Sequence, residues 1–355
     1  MGVRAVLAFP SPLWAFAHAC VTRGLDPRVQ LLRKKMDRTA TRTCPSCSAI
    51  HLLAKNMDPR VKPAGDACGC KAQQRREGVM RDLSHDRALI SINSMTVKAW
   101  SLEQLIEGCA RAGLSAISPW RDIVQACGAE RAGKLIRAHG MTVTGLCRGG
   151  MFPAADAASR RAALDDNRRA VDEAAAIGAQ CLVLVVGGLP KGSRDLASAR
   201  MQVREALHAL LPYARAARVP LAIEPLHPMY AADRACVNTL AQANDLCEEL
   251  GEGAGVAVDT YHVWWDPDLK REIARAGKRI LAYHVNDWLL PTTDLLLDRG
   301  MMGDGVIDLR LIRAMVEAAG YRGHCEVEIL SANNWWTRDP DEVLRICIER
   351  HQTVV

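Results

Sequence analysis

The sequence predicts an α/β fold, a (β/α)8 barrel preceded by an N-terminal extension that stays outside the core. Three observations carry this expectation. From residue 88 onward, short apolar runs alternate with amphipathic stretches of helical period. Residues 1–79 show no such period. Four runs in the second half each end in Glu, Asp or His, and a closed parallel ring carries such strand ends to one centre.

The elements follow in order. The first strand is expected over 88–94, and a helix opens at Ser101 with Glu103 and Gln104 in its first turn. The second strand, 114–118, is stopped by Pro119, and the third, 141–147, ends at Arg148-Gly149-Gly150. An Ala-rich helix over 159–177 leads into the fourth strand, 180–186, a continuous apolar run ended by Gly187-Gly188. Strands five to eight are expected over 219–224, 255–259, 279–284 and 324–329, each followed by a helix, the last over 340–350. Eight strand–helix units over about 270 residues is the period of this barrel. A doubly wound open sheet is the competing arrangement, and it does not bring the last four strand ends together.

Composition divides the chain at Met80. The extension, 1–79, holds 14 Lys/Arg against 5 Asp/Glu, whereas 80–355 holds 32 against 35. The net charge of +6 therefore belongs to the extension, and the slightly acidic barrel offers no basic stripe for nucleic acid. An upstream stretch translated ahead of a true start at Met80 is one reading of the extension. A small zinc module is another, from Cys44, Cys47, Cys68 and Cys70, although only the first pair has zinc spacing. Residues 6–20 faintly resemble a secretion signal but contain Pro10 and Pro12, so a cytoplasmic setting with reduced thiols is expected. No stretch is long and apolar enough to span a bilayer, and a homo-oligomer is compatible with the sequence.

The chemistry is expected at the carboxyl-terminal rim of the barrel. Glu224, Asp259, His284 and Glu328 end strands five to eight. Each alone could cap a helix or pair with an arginine. Together, four buried ionisable groups after apolar runs are hard to place without a counter-charge. Three carboxylates and one imidazole suit a single divalent cation of the Mn²⁺, Mg²⁺ or Co²⁺ type. Glu326, two residues before Glu328, points the same way and is expected deeper, as a supporting or core-paired acid; the two could exchange roles.

Ile223-Glu224-Pro225, Asp259-Thr260-Tyr261-His262, His284-Val285-Asn286-Asp287, the run from Gly303 through Asp304, Gly305, Val306 and Ile307 to Asp308, and Val327-Glu328-Ile329 resemble the motifs of the xylose isomerase-like TIM barrels. More narrowly, the chain resembles the sugar phosphate isomerase/epimerase family, over essentially all of the barrel. The resemblance implies that Glu224, Asp259, His284 and Glu328 bind one divalent cation. It also implies that Glu224 and Glu328 form the catalytic, proton-transferring pair on opposite faces of a bound sugar. His262 matches a binder of substrate hydroxyls, and Arg299 falls where an arginine reaches the substrate. The stretch 289–297 and the Trp335-Trp336 pair match nothing in the family's pattern.

Other rim residues carry two readings each. Arg148 and Arg121 could reach a phosphate or carboxylate, or pair with a helix acid. His227 could contact substrate or hold its loop. Trp264, Trp265, Trp288, Trp335 and Trp336 could wall a sugar ring or pack beneath the loops. Gly187-Gly188 with Lys191 lacks the spacing of a phosphate loop, so turn chemistry is the stronger reading.

The expected activity is thus metal-dependent isomerisation or epimerisation of a small sugar or keto-polyol through an enediolate. An inosose-type dehydratase shares the same site. An endonuclease IV-like phosphodiesterase resembles parts of it, but Asp298-Arg299 is followed by Gly300 where that cluster needs a further histidine. A non-catalytic metal-binding subunit is the third alternative.

Overall fold

The apolar runs fold as short parallel strands whose residues are almost all buried. The computed structural model describes residues 80–355; the extension 1–79, with its cysteine pairs and signal-like segment, lies outside the described residues. The strands are β1 (Ile90–Asn93), β2 (Ala116–Ser118), β3 (Thr142–Val143), β4 (Leu146–Gly150), β5 (Leu182–Val185), β6 (Leu221–Ile223), β7 (Ala254–Asp259) and β8 (Ile280–Val285). A small ribbon, β9 (Asp287–Trp288) with β10 (Arg299–Gly300), precedes the last barrel strand, β11 (Cys325–Val327).

The strands are ordered β3-β2-β1-β11-β8-β7-β6-β5-β4. The two ends of that order are one stretch of chain, interrupted only by Thr144-Gly145. On one side Thr144 and Cys147 donate to the carbonyls of Ile117 and Pro119; on the other, Val143 O and Cys181 O accept from Gln180 and Leu146. The ring is therefore closed at eight positions, as a (β/α)8 barrel requires, and an open doubly wound sheet is excluded. The third strand, read from sequence as continuous, is interrupted at Thr144-Gly145, its regular ladder running with β2 before the break and with β5 after it.

Most helix starts are set by side-chain caps. Ser101 and Gln104 form the expected capping box at α1 (Leu102–Arg111). Two helices, α2 (Arg121–Cys127) and α3 (Ala129–Ala138), occupy the second connection and have no side-chain cap. Asp156, Asp195 and Thr239 cap α4 (Ala157–Ile177), α5 (Leu196–Ala216) and α6 (Leu240–Leu250). The short α7 (Thr260–Val263) grows directly from Asp259, and α8 (Leu269–Ala276) follows without a side-chain cap. Asp308 and Asp339 cap α9 (Leu309–Ala318) and α10 (Pro340–Thr353).

The main core lies between the strands and the helical ring. Inside the barrel the lining is small, with Cys147, Cys181, Val183, Ala222, Ala257 and Ala282. That leaves room for a polar layer of Ser91, Asn93, Thr144 and Glu326, all buried. Asp259, His284 and Glu326 are register partners across β7, β8 and β11, so their side chains all face the barrel interior.

Candidate metal centre and active-site pocket

Glu224, Asp259, His284 and Glu328 converge as their strand positions require. All four are buried, and one ligand atom from each lies within 4.8 Å of the others. His284 Nδ1 is 3.1 Å from Glu224 Oε1, 3.7 Å from Glu328 Oε2 and 4.0 Å from Asp259 Oδ2. Proximity is not pairing here: neither ring nitrogen of His284, nor Glu224 Oε1, has an aligned hydrogen-bond partner. Buried polar atoms left without partners are costly, and a group of them converging on one point fits a bound cation. The oxygen-rich donor set matches a hard or borderline divalent ion.

The surroundings fix these ligands. Asp259 Oδ1 accepts from the Tyr261 amide and from Asn286 Nδ2, both at 2.8 Å, leaving Oδ2 for the centre. Glu326 sits below: its Oε1 accepts from Asn93 at 2.8 Å, its Oε2 from Thr144 at 3.0 Å, and its Oε1 lies 3.6 Å from His284 Nε2. Asn93 also donates to Glu328 Oε1 at 3.1 Å. Glu326 thus faces the far side of the His284 ring while Glu328 faces the centre. The order expected from their depth in the strand holds in the geometry.

One arginine offsets part of this negative charge. Arg299 Nη1 donates to Asp259 Oδ2 and Glu328 Oε2, each at 3.0 Å, and its guanidinium lies over the Tyr261 ring. Burial alone would raise the Asp259 carboxyl, but Arg299, His262 and His284 hold it well below the ordinary range. Burial pushes Glu328 up to about 7, against the opposing pull of Arg299 and His284. For His284 burial disfavours the cation, yet Glu326, Glu224 and Glu328 raise it well above its usual value. Burial takes His262 down to about 3, so its ring is neutral at pH 7. That ring has two contacts of 3.2 Å, Nδ1 with the His227 amide and Nε2 with Arg299 Nη2. Both partners are donors, and a neutral imidazole has one acceptor, so only one contact is a hydrogen bond.

Above the centre lies a narrow pocket with a cavity volume of about 40 Å³, lined by Glu224, Glu328, His262, Arg299, Arg148, Cys147, Trp120, Tyr230, Arg234, Val185, Leu226, Leu296 and Leu330. Of the residues expected to touch substrate, His262, Arg299 and Arg148 are on this wall. His227 and Trp335 are not. The His227 ring packs against Trp265 and Trp288, with centroids at 5.6 and 4.9 Å, while its Nδ1 accepts from the Met229 amide. Trp335 is buried beneath Arg338. Trp264 and Trp288 belong to the aromatic cluster under the rim loops, 5.9 Å apart. Arg121 takes the helix-acid reading, bonded to Asp166 and Glu173 of α4.

Trp120, Tyr230, Arg234 and Leu296 had no signal in the sequence as pocket residues. Leu296 belongs to the 289–297 stretch, drawn over the pocket because the hydroxyls of Tyr230 and Tyr261 both donate to Leu295 O. The Gly-Asp-Gly motif also has a structural cause. Asp287 accepts four backbone amides, from Trp288, Gly303, Gly305 and Ile307, at 2.8–3.0 Å. A Cβ at Gly305 would stand 2.1 Å from Trp288 O, so the loop can wrap this carboxylate only with glycine there.

The family model described as a xylose isomerase-like TIM barrel matches residues 106–347. The chain belongs to this family. Among solved structures, it is 60% identical to protein SMc04130 from Sinorhizobium meliloti 1021, covering 76% of this chain and 99% of that one, with a TM-score of 0.75. The IolI protein, whose structure holds a zinc atom, is 18% identical over 75% of this chain and 97% of its own (TM-score 0.65). The 3-keto-D-glucoside 4-epimerase YcjR from E. coli is also 18% identical, over 75% of this chain and 99% of its own (TM-score 0.60). These last two share the barrel fold. No curated protein matches the chain significantly.

Proposed function

We propose that this xylose isomerase-like barrel is a divalent-metal-dependent isomerase or epimerase of a small sugar or keto-polyol. The observation that carries the reading is the placement of Glu224 and Glu328. They follow β6 and β11, with β7 and β8 between them in the ring, and both face the one pocket. Two carboxylates on different sides of a bound carbon acid can remove a proton from one face and return one at the other face or at the neighbouring carbon. Contact with the cation keeps both glutamates ionised, which suits a base. The neighbouring epimerase structures support this chemistry by similarity of fold.

Glu224, Asp259, His284 and Glu328 are the residues that hold the ion, Mn²⁺, Mg²⁺ or Co²⁺ by donor type. When bound, the cation supplies Lewis-acid stabilisation of an enediolate oxygen. The chain's own groups do the rest. His262 and Arg299 orient substrate oxygens, and Leu226, Leu296 and Leu330 exclude water from the carbon acid. The eight cysteines among the described residues carry free thiols, consistent with a cytoplasmic setting.

The test is to strip metal from the full chain, restore Mn²⁺, and follow proton NMR of a panel of ketoses and inososes in D₂O. Deuterium entering at the carbon beside the carbonyl is expected. Glu224→Gln and Glu328→Gln should each slow it about 100-fold or more. No exchange across the panel, or full exchange in both variants, refutes the reading.

A further inference from the structure

We infer that the substrate carries an anionic group, a carboxylate or a phosphate, and that Arg148 and Arg234 clamp it. This rests on the isomerase reading for the identity of the pocket and adds the chemical class of what enters it. Three arginines line the pocket. Arg299 is committed to Asp259 and Glu328. The Arg148 side chain makes no hydrogen bond or ion pair with any described residue; of the acids beside its loop, Asp166 is held by Arg121 and Asp122 is exposed. The nearest acid to Arg234 is Asp233, 3.9 Å from its Nε and itself 65% exposed. Glu224 and Glu328 on the same wall face the proposed ion, so Arg148 and Arg234 line this small pocket with no hydrogen-bonded carboxylate of their own, and a guanidinium fork recognises carboxylate and phosphate alike.

Both side chains are presented by dedicated backbone. Arg148 is the extra residue of a bulge between β4 and β5, where the pairing jumps from Cys147 to Gly149. The bulge needs its two glycines. A Cβ at Gly149 would meet Asn167 Oδ1 at 2.7 Å, and one at Gly150 (φ +108°) would meet Val185 O at 1.9 Å. Buried Asn167 braces the turn, accepting from Gly150 N at 2.6 Å and donating to Gly150 O at 2.7 Å. Arg234 arrives from the other side of β5. Gly187 N donates to Arg234 O and Cys236 N to Gly187 O, both at 2.9 Å, and Gly188 admits Ala232 O where a Cβ would lie 2.5 Å away. The two arginine loops are thus zipped to the same strand end, which accounts for the Gly187-Gly188 pair that has no phosphate-loop spacing.

The test is calorimetric titration of the Mn²⁺-loaded full chain with D-fructose, D-fructose 6-phosphate and the carboxylate-bearing ketose D-fructuronate. At least one anionic ketose should bind about 10-fold or more tighter than D-fructose, and which one wins tells carboxylate from phosphate. Arg148→Gln and Arg234→Gln should each cut that preference about 10–100-fold, leaving Mn²⁺ binding unchanged. Absence of a preference, or a preference that survives both substitutions, overturns the clamp. Exchange in D₂O separates the two readings. Exchange from D-fructose without anion preference removes the clamp and leaves the isomerase. Arginine-dependent anion binding without exchange from any ketose removes the isomerase and leaves the clamp.

Discussion

Replacing Glu326 by Gln should weaken metal binding in a chain that still folds. Its carboxylate lies 3.6 Å from His284 Nε2, on the side of the ring opposite the proposed ion. With an effective dielectric of about 20, a full charge pair at that separation is worth roughly 4–5 kcal/mol, part of it offset by desolvation. Partners of this kind orient a ligating imidazole and raise its basicity, and their loss typically costs about 10–100-fold in metal affinity. Gln keeps the volume and an acceptor for Asn93, so packing is preserved. In the metal-free protein His284 is protonated and loses one of its carboxylate neighbours, so a drop in melting temperature is expected while the chain still folds. Chelator competition with Mn²⁺ reads the affinity, and thermal unfolding in excess chelator reads the fold. Unchanged Mn²⁺ affinity in a folded Glu326→Gln protein would refute the orienting role.

Three further outcomes follow from the same geometry. His284 is held well above its usual value and Glu328 at about 7, and both must shed a proton to become ligands. Protons therefore compete with the ion, and Mn²⁺ affinity should rise from about pH 6 to about pH 8, with proton release seen in buffers of different ionisation heat. Gly150→Ala places a methyl 1.9 Å from Val185 O at a positive φ and should cost about 3 kcal/mol or more, seen as a melting-temperature drop of roughly 5–10 °C. Asp287→Ala removes the acceptor of four amides and should open the 301–307 loop to hydrogen exchange, while β5 stays protected.

The strands were legible in the sequence because parallel barrel strands are buried on both faces and read as unbroken apolar runs, as Leu182–Val185 does. The centre was legible for a related reason: polar residues ending four such runs leave few other physical readings. The interruption of the third strand at Thr144-Gly145, where its regular ladder passes from β2 to β5, has no turn residue pattern to mark it. The β9–β10 ribbon, only two residues per strand, is too short to carry a period. Pocket residues on loops, such as Trp120, Arg234 and Leu296, take their places from distant contacts like the Tyr230 and Tyr261 bonds to Leu295 O. His227 and Trp335 looked available from their position after strand ends, yet aromatic packing and Arg338 occupy them instead.

The central claim is that four strand-end side chains hold one ion. It is tested most directly by titrating Mn²⁺ into metal-free full chain under electron paramagnetic resonance, beside His284→Ala and Asp259→Asn. One tightly bound ion per chain is expected, with each substitution weakening it about 100-fold or more. Binding that is absent from the unaltered protein, or unchanged in both variants, would contradict it.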